Sequence, residues 1–417
     1  MKIYLPSVED ICVGQDVVVI SLLLLKGSSR MGQLVLKVDR VITPTKELIK
    51  VAIIIEKDRI KKLIPWNEIP QDKDVLYYPN TIAAPGFIDI HIHGYGGYDV
   101  TLGKESSLIK MSKSLLRHGV TSFLPTTVTQ SQDILLKVCN ILRAVVKKDL
   151  NGAEILGIHL EGPYISKGKE AGAQNVNFVR NPDIKELEEV IKNSGNNIRR
   201  ITLAPELPGV LELIKYAKDM GIVIAAGHTN ATYKEAMTGF DAGVSICNHL
   251  FNGMRPFHHR EPGIVGAYFV RDDIYAELIA DMIHLHPGAI TAVIKLKSVE
   301  KIILITDAIA GTNLPDGEYE LGGLITVIKD GSCRLKATGR LAGSTLTMDV
   351  AVKNMVTNLG IDLKDAIRMA TLNPADAMNL LNYGRIAPGC VGDIVILDSE
   401  LNVLTTIYRG KVLYSSE

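Results

Sequence analysis

The chain is poor in cysteine, in aromatic residues and in net charge. Its 417 residues include one tryptophan and 5% aromatic residues overall, and 46 basic residues balance 46 acidic ones. The five cysteines are scattered, and they are Cys12, Cys139, Cys247, Cys333 and Cys390. Because none of them forms a C-x-x-C motif, the pattern argues against a disulfide framework or a structural zinc knuckle. We expect a reducing, cytoplasmic environment.

The chain also lacks long apolar runs, and it lacks the excess of one charge that would create a strong electrostatic field. The apolar run at residues 17–25 is too short to span a bilayer, and no signal-peptide pattern opens the chain. The charge balance leaves nothing to attract a nucleic acid or a membrane surface. We therefore expect neither as a partner, and we interpret the run at 17–25 as a buried strand.

Both ends of the chain have β character. Runs rich in valine, isoleucine and leucine occur at residues 17–25, 34–41 and 49–55, and again at 394–397 and 403–408. Neither end is long enough to bury a sheet by itself. We predict one small β-sandwich domain built from residues 1–84 and 384–417.

The middle of the chain, residues 85–383, alternates strands with helices. Val210, Leu213, Ile214 and Ala217 have the spacing of one helix face, and Thr232-x-x-Glu235 is a capping box. Eight strands are predicted: the first begins at Phe87, and the other seven lie at 121–127, 155–159, 200–204, 222–226, 244–248, 274–279 and 302–306. Eight such units predict a (β/α)8 TIM-like barrel of the α/β class. A doubly wound sheet is the alternative, but no Gly-x-Gly-x-x-Gly opens a helix after the first strand.

The strand at Phe87 ends in an H-x-H pair, His91 and His93. Side chains two apart on a strand point to one face, so the pair could form half of a metal site. Two histidines at this spacing also occur by chance. The interpretation therefore depends on the rest of the chain.

Other ligand-type residues lie where the predicted strands end. Glu161 follows the third strand, His228 the fifth, His249 the sixth and Asp307 the eighth. Each alone is most simply a polar loop residue. In a barrel, however, the carboxyl ends of all strands meet at one face, where active sites are built. The joint placement predicts a metal-dependent active site.

The motifs PGFIDIHIHG, HLEGPY, GHTNA, HLFNGM, REPG and LITDA together resemble the N-acetylglucosamine-6-phosphate deacetylases of the amidohydrolase superfamily. The resemblance implies that Glu161, His228 and His249 hold a primary divalent metal, zinc or iron. It further implies that His91 and His93 support a second ion with Glu161 as the bridge, giving one or two ions per subunit. The alternative for the histidine pair is a weakly occupied site.

The resemblance also assigns the chemistry to Asp307, which would accept a proton from water and pass it to the departing amine. The alternative for Asp307 is a helix N-cap after the eighth strand. His284 resembles the family histidine that contacts and orients the substrate.

Further residues are expected to bind the substrate. Asn252 and Gly253 would offer backbone N–H groups to phosphate. Arg260 resembles a family arginine that the neighbouring subunit supplies to the phosphate, which implies a homodimer; the alternative is a surface ion pair. Gln174 stands where some relatives have a histidine that contacts the sugar or acetyl group, and the segment beginning at Leu341 is expected near the acetyl pocket.

The predicted function is hydrolysis of an amino-sugar phosphate, N-acetylglucosamine 6-phosphate, to glucosamine 6-phosphate and acetate in amino-sugar catabolism. Two alternatives stay open at this point. One is a deacetylase for the galactosamine epimer or another amidohydrolase, and the other is a non-catalytic barrel that binds a sugar phosphate.

Overall fold

The computed structural model describes residues 33–416. The run at 17–25 and Cys12 lie outside these residues. The described chain begins with four strands, which are β1 (Gln33–Ile42), β2 (Glu47–Glu56), β3 (Arg59–Pro65) and β4 (Val75–Pro85). The first two contain the predicted runs at 34–41 and 49–55.

The next eleven strands belong to the central domain. They are β5 (Phe87–Ile92), β6 (Gly94–Tyr95), β7 (Tyr98–Asp99), β8 (Val120–Thr127), β9 (Glu154–Ile155), β10 (Ile158–Glu161), β11 (Ile198–Leu203), β12 (Val223–Ala226), β13 (Val244–Cys247), β14 (Tyr275–Ile279) and β15 (Ile302–Ile305). Eight of them pair in parallel in the order β5-β8-β10-β11-β12-β13-β14-β15. The backbone N–H of Asp307 donates to the carbonyl of His91 at 2.9 Å, which brings the last strand back to the first. The predicted TIM-like barrel is confirmed.

One barrel strand has boundaries that differ from the predicted ones. The third barrel strand was expected at 155–159 but occupies Ile158–Glu161, and only the short β9 covers Glu154–Ile155. Gly157 lies between these two pieces. Glu161 is the last residue of this strand, so its predicted place at the carboxyl end of the third barrel strand is confirmed.

Helices connect the barrel strands on the outside. They are α1 (Glu105–Leu115), α2 (Gln132–Arg143), α3 (Ile184–Asn193), α4 (Val210–Asp219), α5 (Tyr233–Ala242), α6 (Gly263–Val270), α7 (Pro287–Leu296), α8 (Met348–Thr357), α9 (Leu363–Ala370) and α10 (Leu372–Ala377). The predicted face of α4 is buried, and Thr232 and Glu235 form the predicted capping box of α5. No helix of the described part is both long and apolar enough to cross a membrane.

A three-stranded antiparallel sheet interrupts the last barrel unit and was not predicted. It consists of β16 (Gly317–Leu321), β17 (Leu324–Lys329) and β18 (Ser332–Leu335), between β15 and α8. Its buried residues Leu321 and Ile328 pack with Val128 and Ile309 in a small core of their own. The sheet therefore covers part of the carboxyl face of the barrel.

The last three strands return to the β domain. They are β19 (Ile394–Leu397), β20 (Val403–Tyr408) and β21 (Lys411–Ser415). The resulting seven-stranded sheet has the order β21-β20-β19-β4-β1-β2-β3, in which β19 pairs antiparallel with β4. Leu36, Ile53, Ile394 and Ile407 share one buried cluster. The prediction that both ends of the chain build one β domain is confirmed, since strands from both ends form one sheet and share this buried cluster.

Candidate metal centre

The carboxyl ends of the barrel strands bring six predicted residues to one place. His91 lies in β5 and His93 just after it, while Glu161 ends β10. The remaining three, His228, His249 and Asp307, each stand two residues beyond the end of a strand. All six side chains are buried.

The ligand atoms converge on Glu161. The Nε2 atoms of His228 and His249 both lie 3.3 Å from its Oε1, and 3.2 Å from each other. On the other side, Nε2 of His91 lies 3.3 Å from Oε1 and Nε2 of His93 lies 3.3 Å from Oε2. Two groups of three potential ligands, His91–His93–Glu161 and Glu161–His228–His249, therefore share one carboxylate.

The opposite ring nitrogens fix which nitrogen faces the centre. Nδ1 of His93, His228 and His249 lies 3.1, 2.9 and 3.0 Å from the backbone carbonyls of Thr126, Glu170 and Asn252, respectively. A carbonyl oxygen only accepts, so each Nδ1 carries the proton and donates it. In the neutral ring, Nε2 then has a bare lone pair.

This arrangement suits a cation. Bare nitrogen lone pairs 3.2 Å apart and facing a carboxylate repel one another, and a divalent cation among them removes the repulsion. Two imidazoles and a carboxylate around one ion are a donor set that zinc and ferrous iron accept. The residues present therefore fit a bound metal.

The negative charge of the centre also appears in its pKa values. Burial alone would lower the pKa of His93, but hydrogen bonds to Asp307 and Glu161 raise it to about 9. Burial would raise the pKa of Glu161, yet the charges of His91 and His228 hold it well below its usual range. The same negative field that raises the pKa of His91 and of His93 also favours a bound metal cation.

Asp307 borders the cluster without being part of either group of three. Its Oδ1 lies 3.1 Å from Nε2 of His93. Burial would raise its pKa, but the charge of His91 and the hydrogen bond to His93 lower it to about 2. The nearest following helix, α8, begins at Met348. Asp307 therefore does not cap a helix, and its carboxylate stays ionised beside the centre.

A cavity of about 230 Å³ opens above the centre. Of the predicted substrate-binding residues, five line it, and they are Gln174, Asn252, Gly253, His284 and Leu341. Nδ1 of His284 donates to Asp281 at 2.7 Å, which leaves Nε2 for another partner. Arg260 is the exception: it is exposed on the loop before α6 and does not line the cavity.

Gly253 has a conformational reason to be glycine. Its φ of +59° lies in the left-handed region, and an added Cβ would come within 2.8 Å of Nδ1 of His228 and 2.9 Å of the Glu170 carbonyl. Those two atoms are hydrogen-bonded to each other. A side chain at 253 would therefore displace His228.

Several residues of the site were not predicted. Lys169 and Arg340 line the cavity and bring positive charge to it. Asp281, which orients His284, stands two residues beyond β14. The strand-end rule that identified His228 and His249 would have found Asp281 as well, whereas no local signal marks Lys169 or Arg340.

Comparisons with known proteins agree with this geometry. The amidohydrolase family model matches residues 82–413. The N-acetylglucosamine-6-phosphate deacetylase of Lysinibacillus sphaericus is 38% identical over 342 residues, covering 82% of this chain and 88% of the relative. The N-acetylgalactosamine-6-phosphate deacetylase of Escherichia coli O157:H7 is 37% identical over 350 residues, covering 84% and 90%.

Solved structures of deacetylases are also similar to this chain. The D267A mutant of N-acetyl-D-glucosamine-6-phosphate deacetylase from Mycobacterium smegmatis, in complex with N-acetyl-D-glucosamine-6-phosphate, superimposes with a TM-score of 0.87 at 32% identity. The Thermotoga maritima N-acetylglucosamine-6-phosphate deacetylase gives 0.83 at 35%. Both alignments cover 92% of this chain and 100% of the other. The chain therefore belongs to the amidohydrolase family and, within it, to the branch of the N-acetylglucosamine-6-phosphate deacetylases.

Proposed function

We propose that this protein is a metal-dependent deacetylase that hydrolyses N-acetyl-D-glucosamine 6-phosphate to D-glucosamine 6-phosphate and acetate. The observation that carries the proposal is the set of four histidine Nε2 atoms within 3.3 Å of the Glu161 carboxylate. Relatives over most of the chain carry this activity in their names. The reaction would serve amino-sugar catabolism.

Glu161, His228 and His249 would hold the primary ion, zinc or iron. His91 and His93 would take a second ion, with Glu161 as the bridge, and the number bound is one or two. A bound divalent ion lowers the pKa of a coordinated water to about 7 and polarises an amide carbonyl. Both effects are needed because, at neutral pH, water is a poor nucleophile and an amide carbonyl is a poor electrophile.

The remaining residues handle protons and orientation. Asp307 accepts the proton of the attacking water and delivers it to the departing amine, for which a buried, ionised carboxylate beside the centre is well placed. His284, oriented by Asp281, offers Nε2 to the substrate. Leu341 forms part of the wall near the acetyl group, and Gln174 lies in the same cavity.

The phosphate would be bound by the backbone N–H groups of Asn252 and Gly253, and by Arg260 of a neighbouring subunit. The role of Arg260 in a neighbouring subunit is supported by its being exposed while it does not line the cavity of its own subunit. We therefore propose a homodimer. We also propose that the protein is cytoplasmic. Lys169 and Arg340 supply additional positive charge from the same chain.

One alternative keeps a specific observation in its favour. The galactosamine-phosphate deacetylase relative is as similar to this chain as the glucosamine-phosphate deacetylases are. The two substrates differ only in the configuration at one hydroxyl-bearing carbon. Specificity then depends on one or two hydrogen bonds in the cavity.

The experiment is acetate release from both N-acetylated hexosamine 6-phosphates, with metal content determined on the same samples. We expect the larger kcat/KM on the glucosamine derivative, and loss of both metal and activity in Glu161→Ala. A protein that binds metal and sugar phosphate but releases no acetate would refute the proposal. Higher kcat/KM on the galactosamine derivative would favour the alternative.

A further inference from the structure

Two side-chain amides hold the carboxylate of Glu161, one on each oxygen. Nδ2 of Asn248 donates to Oε1 at 2.8 Å, and Nε2 of Gln174 donates to Oε2 at 2.6 Å. Glu161 is 1% exposed, so water does not compete for these positions. Each oxygen thus has one lone pair engaged by an amide and presents the other to the histidines.

The orientation of the Gln174 amide is fixed at its far end. Its Oε1 accepts a hydrogen bond of 2.7 Å from the backbone N–H of Thr129. If the amide were turned over, its NH2 group would face that N–H, and its oxygen would face the Glu161 carboxylate. Only one orientation satisfies both ends, so Gln174 must donate to Glu161.

The orientation of the Asn248 amide is fixed in the same way. Its Oδ1 accepts hydrogen bonds from Nη2 of Arg200 at 2.5 Å and from Oγ1 of Thr202 at 3.2 Å. A guanidinium has no acceptor, so the amide oxygen must face it. The NH2 group of Asn248 is then directed to Glu161.

Arg200 belongs to a fully buried ion pair with Glu277. The second oxygen of Glu277 lies 3.2 Å from Nδ1 of His91 and 3.2 Å from the backbone N of His249. Burying two charges contributes little net stability, because desolvation offsets their attraction. The pair therefore has another consequence: it connects Asn248 to two of the histidines of the centre.

We propose that Asn248 and Gln174 are positioning residues, which hold the Glu161 carboxylate so that both oxygens present a lone pair to metal. Arg200 and Glu277 in turn hold Asn248. The inference rests on the proposed metal site. A carboxylate fixed before the ion arrives loses no conformational freedom on binding, and partners that orient metal ligands typically contribute 10- to 100-fold in metal affinity, by order of magnitude.

The test compares three variants in which an apolar residue of similar size replaces a buried amide without adding charge. Gln174→Met and Asn248→Leu remove the two donors to Glu161. Asn373→Leu is the matched control, because the amide of Asn373 is equally buried but donates to the carbonyls of Val299 and Ile302, where β15 begins. That end of the strand is opposite to the metal centre.

The measurement is the zinc dissociation constant of the metal-free proteins, by competition with a chromophoric chelator, together with their melting temperatures. We expect roughly 10- to 100-fold weaker zinc binding in Gln174→Met and Asn248→Leu. Asn373→Leu should lower the melting temperature but bind zinc like the wild type. If Asn248→Leu does not fold, Gln174→Met decides alone.

Two results would overturn the inference. One is wild-type zinc affinity in Gln174→Met. The other is a raised KM with unchanged zinc affinity, which would make Gln174 a substrate contact only. By contrast, a wild-type protein that binds no divalent metal would refute the proposed function itself, so the two failures are distinguishable.

Discussion

Replacing Asp393 with asparagine should remove a pH-dependent loss of stability where the β domain meets the barrel. The Asp393 side chain is 6% exposed. Its Oδ1 accepts from the backbone N–H of Arg409 at 2.8 Å, and its Oδ2 has no hydrogen-bond partner among the described residues. Burial is the main cause that raises the pKa of Asp393 from 3.8 to about 7, against the opposing effect of Arg409.

The direction and size of the effect follow from this pKa. Between pH 3.8 and about 7 the unfolded chain has released the proton while the folded chain still binds it, so the free energy of unfolding falls as the pH rises. At 1.36 kcal/mol for each pKa unit, the shift corresponds to about 4 kcal/mol over that window. Asparagine is neutral throughout. The advantage of Asp393→Asn over the wild type should therefore grow by up to about 4 kcal/mol from acidic to neutral pH.

The assay is thermal unfolding of both proteins in steps from about pH 4 to pH 8. Metal binding also depends on pH, but it contributes equally to both proteins and cancels in their difference. Asp398→Asn is the control in the same domain. Burial opposes ionisation of Asp398, but its hydrogen bonds from Asn402 lower its pKa, so its variant should differ from the wild type by a constant amount above pH 5. A constant difference for Asp393→Asn as well would refute the reasoning.

Three further outcomes are expected. Asp307→Asn should keep its metal, by elemental analysis, but lose about 10²- to 10⁴-fold in kcat, because the amide can no longer take up a proton; near-normal turnover would exclude the assigned role. Arg260→Ala should raise KM for the sugar phosphate far more than it lowers kcat, and mixing it with an Asp307→Asn protein should restore low-KM sites only if the arginine acts between subunits. Gly119→Ala should lower the free energy of unfolding in urea by at least about 1 kcal/mol, because φ is +73° and a Cβ would lie 2.9 Å from Phe87 and Val395; an unchanged urea midpoint would contradict this.

The candidate metal centre could be anticipated because each of its residues carries a local signal. His91 and His93 stand on one face of a predicted strand, and His228 and His249 follow short apolar runs. Once a barrel is inferred, parallel strands bring all such positions to the same face without knowledge of any distance. The roles of these residues stay predictions, but their convergence is now a property of the fold.

Gln174 has a contact that the sequence does not indicate. By family resemblance it was expected to contact sugar or acetyl. In the structure it lines the cavity, but its amide is engaged by Thr129 and Glu161. Because a glutamine on a loop gives no sign of its partners, only the packing of three separate segments shows this second contact.

What the sequence alone determined is the periodicity of the elements, and with it the barrel, the two-ended β domain and the strand-end positions of the candidate ligands. What only the tertiary structure decided is the buried polar layer beneath them. Arg200 and Glu277 are 77 residues apart, in β11 and β14, and the sequence of neither strand identifies the other residue as its partner. Their pairing, and the orientation of Asn248 that follows from it, depend on which strands become neighbours across the barrel interior, and periodicity along one strand carries no information about that.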